Sequence, residues 1–156
     1  MTLTEILIIE HRIFNRVFDQ VEKVLPNLAT PQEGRLLAQL ITGMLQAHAA
    51  TETDLAYITL DHVLQDEGAL QRMHHDHQEL DAGLERVQSA ATCAEVRRLL
   101  RQAIHASREH FKAEERSVFP LMERKLQTET LTQLATALEK SPPFSQSDQA
   151  GAAQAA

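Results

Sequence analysis

The sequence sets a histidine four residues ahead of a glutamate at His48/Glu52 and at His110/Glu114. It also sets a histidine directly after an acidic residue at Glu10-His11 and at Asp76-His77. On a helix four residues turn through about 400°, so each His-x-x-x-Glu step puts an imidazole and a carboxylate on one face, one turn apart. Two such faces and two further imidazoles supply the donors of a dinuclear metal cage. Neutral imidazole suits iron, zinc, copper and nickel, and carboxylate favours harder ions. With no thiolate in the set, iron or manganese fits better than a structural zinc. Glu52 and Glu114 can each bridge two metals through their two oxygens, which gives each metal roughly two nitrogen and two oxygen donors. About two places of a six-coordinate shell then stay open for an oxo or hydroxo bridge and a small ligand such as O2, NO or peroxide.

Helices must bring these residues to one level. If the helices alternate in direction, the turns lie near the sequence midpoints, at about 30, 63 and 94. Pro26-Asn27 and Thr30-Pro31 bracket the first, with Thr30 as N-cap, Pro31 at N1 and Glu33 closing a capping box, and Thr92 with Glu95 repeats that box at the third. The middle turn has only Asp and Gly cues over 61–68, which predicts that the second helix frays or kinks before Gly68. The predicted helices run over about 3–25, 31–60, 67–90 and 93–126, with a short fifth over about 129–140. A Thr2/Glu5 capping box opens the first, and an apolar stripe through Leu3, Phe14, Phe18 and Val21 follows it. Pro120 predicts a kink or break after Phe119. The two halves repeat: Phe14 aligns with Leu80, Phe18 with Leu84, Val21 with Val87 and Tyr57 with Phe119.

With 156 residues, 43% of them hydrophobic, the chain can bury one substantial core, expected over 1–140. Residues 141–156, with paired prolines and small polar residues, offer almost nothing to bury and are expected to form a flexible tail. A net charge of −7 without a Lys/Arg stripe argues against nucleic acid or an anionic membrane as partner. No apolar run approaches a membrane span, and the "ILII" run near the N-terminus is far shorter than a signal-peptide core. The single cysteine, Cys93, excludes an internal disulfide framework and a cysteine-rich metal site, and the expected location is the cytoplasm.

The order His, His-x-x-x-Glu, His, His-x-x-x-Glu, with the segment "HFKAEERSVFP" starting at His110, resembles the hemerythrin-like (HHE cation-binding) domain family over about residues 3–126. The resemblance implies an all-α fold, an up-down antiparallel four-helix bundle with the short fifth helix appended, around a non-haem centre of two iron ions. Carried over by position, the metal ligands are His11, His48, Glu52, His77, His110 and Glu114. Oxygen-carrying hemerythrins place a further histidine four residues before the third-helix ligand. Here that residue is Met73, which puts stable O2 carriage in doubt and leaves His74, about 60° round the same face, as a substitute. His62, His75 and His105 are expected to be solvated. Met44, Met73, Phe14, Leu80, Phe111 and Val118 are expected to line the site, and Glu115 to face solvent or support a histidine N–H rather than bind metal. Three functions follow. The first is a di-iron protein that binds, senses or reacts with O2, NO or peroxide, or handles iron. The second is an enzyme acting on NO or peroxide or repairing iron–sulfur clusters. The third is a helical interaction module with a structural metal.

Overall fold

Each of three long helices begins behind a threonine. The computed structural model describes residues 1–62 and 68–140. Helix α1 (Leu3–Val24) follows Thr2, whose hydroxyl accepts from the Glu5 N–H at 3.3 Å while the Glu5 carboxylate accepts from the Thr2 N–H at 2.8 Å. Helix α2 (31–61) starts behind Thr30. After α3 (Gly68–Gln88), α4 (93–125) starts behind Thr92. In both, the cap hydroxyl accepts from the N–H three residues on. The reciprocal half differs from the expected box, because Glu33 and Glu95 reach one residue further back, to the N–H groups of Ala29 (2.9 Å) and Ala91 (3.2 Å). Backbone donors that the first helical turn leaves unpaired are thus satisfied at little cost. Helix α5 (Thr128–Lys140) packs on α1, and there is no strand among the described residues. The expected fraying before Gly68 and the expected tail fall on residues 63–67 and 141–156, outside the described residues.

Pro120 does not break α4. The helix runs on to Lys125, and the irregularity lies earlier, in a π-helical segment Glu114–Val118 that ends just before Phe119. Pro120 occupies the start of the α-helical segment after it, where a missing N–H is tolerated. Helix α2 has the same device, with a π-helical segment Glu52–Tyr57. Each begins at the glutamate of a His-x-x-x-Glu step. In a π turn the neighbours along the axis are five apart, so Tyr57 is brought beneath Glu52 and Phe119 beneath Glu114. Regular α geometry would leave each pair about 140° apart.

The core is two apolar layers with a polar one between. One layer holds Phe14, Phe18, Leu45, Leu84, Leu100 and Phe111; the other holds Leu3, Leu7, Tyr57, Met73, Phe119 and Met122. In the first layer α2 approaches α4 so closely that a Cβ on Gly34 would stand 2.1 Å from Val96 Cγ1. Valine is stiff and cannot swing aside. Gly34→Ala gains about 1 kcal/mol of helix propensity, and the overpacking costs about 1–3 kcal/mol. The variant is therefore expected to unfold at lower urea concentration than the parent; a higher midpoint would show that the helices separate freely.

Candidate metal centre

The polar layer is where the six predicted ligands meet. His11 from α1, His48 and Glu52 from α2, His77 from α3, and His110 and Glu114 from α4 form two four-donor sets that share both glutamates. These are His11, His48, Glu52 and Glu114, and Glu52, His77, His110 and Glu114. Within each set the donor atoms lie within 4.8 Å of one another. The Nε2 atoms of His48, His77, His110 and His11 stand 3.2, 3.3, 3.3 and 3.5 Å from glutamate oxygens. None of these approaches is aligned as a hydrogen bond. Both Glu52 oxygens, Glu114 Oε2 and the Nε2 atoms of His77 and His110 are buried with no hydrogen-bond partner among the described residues. Leaving such atoms unpaired costs on the order of 1–3 kcal/mol each. A cation held by these groups would satisfy them together, and an all-N/O donor set without thiolate suits one.

The outer nitrogens of the rings are tied unequally. His11 Nδ1 donates to Glu115 at 2.9 Å, and His48 Nδ1 donates to Glu10 at 2.7 Å. His110 Nδ1 has only Asp76 at 3.8 Å, too far for a hydrogen bond. The acidic residues before His11 and His77 thus face across to the histidines of the next helix, because adjacent residues on a helix point about 100° apart. Such outer carboxylates fix ring orientation and raise ligand basicity. The His11 ring also stacks on Phe111 at 4.0 Å, and Phe14 meets the His48 ring edge-on at 5.2 Å. Tyr57, buried, donates its hydroxyl to Glu114 Oε1. Burial, with the charges of Glu52 and Glu114, raises its phenol far above the ordinary range, so it stays a donor. Sequence reasoning missed Tyr57 because only the π turn brings it to the site.

The other expectations divide. Glu115 supports a histidine N–H, as expected of its alternatives. His62, His75 and His105 are exposed. His74 belongs to neither donor set; its ring meets Tyr57 edge-on at 5.2 Å. Met73 is buried in the second apolar layer. The family model of the hemerythrin HHE cation binding domain matches residues 2–122. The chain belongs to the hemerythrin HHE cation-binding family. Comparison with curated proteins and with solved structures gives no match. The hemerythrin family binds cations, and this member's His and Glu groups are able to hold them.

A proton takes part in the metal-free hemerythrin domain. His11 and His48 approach Nε2 to Nε2 at 3.0 Å, so one ring must donate. Burial and the neighbouring His48 push His11 down to about 3. Burial opposes charge on His48 too, but Glu52 and Glu10 outweigh it and raise His48 to about 10. His48 is therefore the imidazolium. It donates to neutral His11, which donates onward to Glu115. Stability of the metal-free protein follows by linkage. The raised His48 contributes stability that is full below pH 6.5 and is lost as pH rises toward about 10. The depressed His11 makes stability fall as pH drops from 6.5 toward about 3, because there the unfolded chain takes up a proton that the folded one refuses. Thermal melts of chelator-treated protein are expected to peak near pH 6.5 and to decline on both sides; a monotonic profile across pH 4–9 would contradict this assignment.

Proposed function

We propose that the chain holds two iron ions, with His11, His48, Glu52, His77, His110 and Glu114 as ligands, and uses them to bind, sense or react with O2, NO or peroxide. The observation that carries this reading is the pair of donor sets sharing two glutamates, three of whose four oxygens have no hydrogen-bond partner among the described residues. When bound, such a centre supplies redox change and open coordination positions for a small ligand. The residues around it limit what arrives. A cavity of about 20 Å³ lies against His48, His77 and His110 and is lined otherwise by Leu45, Ala49, Leu80, Asp81 and Phe111. A water needs about 10–15 Å³ of such space, so the cavity admits one small molecule and little more. Glu10 and Glu115 hold His48 and His11 in fixed orientation. The lone Cys93 and the charge balance favour the cytoplasm.

Met73 sets the expected redox behaviour. With a thioether in the second apolar layer where carriers have a fifth imidazole, and His74 beside Tyr57, the residues present would offer one iron one protein donor fewer. Stopped-flow spectra of the reduced, iron-loaded protein are expected to show oxidation by air that added reductant reverses and that removal of O2 does not. Recovery of the reduced spectrum on removing O2 alone would point to transport instead. Turnover of NO or peroxide would favour an enzyme. Failure to react with any small ligand, together with metal-dependent folding, would favour a structural metal.

A further inference from the structure

The large hydrophobic side chains left exposed within the helices are unevenly spread. Among the described residues they are Ile9, Ile13 and Val24 on α1 and Leu36, Leu40 and Ile58 on α2, with none on α3, α4 or α5. On α2 they belong to a longer seam. Leu36, Leu40, Gly43, Ala47 and Ala50 follow at alternating steps of four and three, the spacing of about 3.5 residues by which one helix packs along another. From Leu36 to Thr51 the helix carries no Asp, Glu, Lys or Arg. Ile9 and Ile13 on α1 stand level with the Ala47 and Ala50 end, because Glu10 beside them bonds His48. A Cβ on Gly43 would meet nothing within 4 Å, so packing inside this chain makes no use of the missing side chain.

We propose that this α1–α2 face is the contact between two copies of the chain, with the two α2 helices antiparallel and crossing at Gly43. The shape of the seam selects a second copy. Its Leu36 and Leu40 end is bulky and exposed, and its Ala47 and Ala50 end is small. A two-fold axis at Gly43 sets the bulky end of each copy on the small end of the other. The charges agree. A chain of net charge −7 repels its own copy, and a two-fold contact through charged surface brings like charges together, whereas a seam without charge does not. Two helices side by side for about 30 Å, with axes about 9 Å apart, present on the order of 600 Å² per copy. The pair would hide about 1,200 Å², the lower end of stable interfaces, so a dimer that dissociates at micromolar concentration is expected.

Sedimentation equilibrium of the purified full chain tests this. A reversible species of twice the 17.5 kDa chain mass is expected. Gly43→Leu, at an open position, should keep the helical circular dichroism spectrum and raise the dissociation constant more than about tenfold. Leu36→Glu should weaken the dimer by a similar factor. Adding Ala50→Lys to the same chain should restore it, because the new charges meet only across the two-fold axis and stand about 21 Å apart within one helix. None of these positions belongs to a donor set, so metal content should match the parent's. A single-chain mass up to millimolar concentration overturns the proposal and leaves the face to a different protein. A dimer that survives Gly43→Leu, or a Leu36→Glu loss that Ala50→Lys does not repair, overturns it as well.

Discussion

Glu114→Gln is expected to abolish metal loading and, at the same time, to raise the melting temperature of the metal-free protein by a few degrees. Burial, reinforced by the charge of Glu52, pushes the Glu114 carboxyl above its ordinary range, and the nearby His110 and the Tyr57 hydroxyl only partly offset this. A carboxyl raised in the folded state costs stability as pH climbs past its unfolded value, so near neutral pH the cost of placing a charge at Glu114 works against folding. Glutamine removes that charge, keeps nearly the same shape, and still accepts from the Tyr57 hydroxyl. The same change removes a carboxylate that both donor sets share, so metal held there should bind more than ~100-fold more weakly, beyond the effect of outer-ligand substitutions. His75→Ala and His105→Ala, at exposed positions, serve as controls with unchanged loading. A Glu114→Gln protein that keeps full metal, or that melts below the parent when both are stripped, would reject the shared-glutamate assignment.

Stripping the metal from the parent protein should have the largest effect on stability. The polar layer places two fully buried glutamates and four histidines between two apolar layers, and several of their atoms have no hydrogen-bond partner among the described residues. An ion present at a hundred times its dissociation constant adds about 2.7 kcal/mol, so two add roughly 5 kcal/mol. For a chain of this size that corresponds to a shift of about 10–20 °C. Loading must also displace the proton that His48 shares with His11, so the difference between loaded and stripped melts should widen as pH rises from 6 to 9. Equal melting of the two forms throughout that range would mean that the cage is satisfied without an ion.

Much of the bundle was legible because its signals are periodic. The His-x-x-x-Glu steps, the midpoint rule and the threonine caps at Thr2, Thr30 and Thr92 are all consequences of 3.6 residues per turn, and the helices start where the caps predict. The π-helical segments were not legible, since nothing in residues 52–57 or 114–118 announces a five-residue turn; Pro120 drew the expected irregularity to the wrong side of Phe119. Tyr57 was hidden for that reason. Glu10 and Asp76 were visible beside their histidines, but their partners are on other helices, and only the packing of α1 on α2 and of α3 on α4 shows which ring each one faces.

Metal analysis of protein purified without added metal, read together with its optical spectrum before and after exposure to air, tests the central claim most directly. The account predicts about two iron ions per chain and a spectrum that changes on oxidation. Roughly one zinc ion per chain with no second metal, or a metal-free protein that resists loading with ferrous iron, would contradict it.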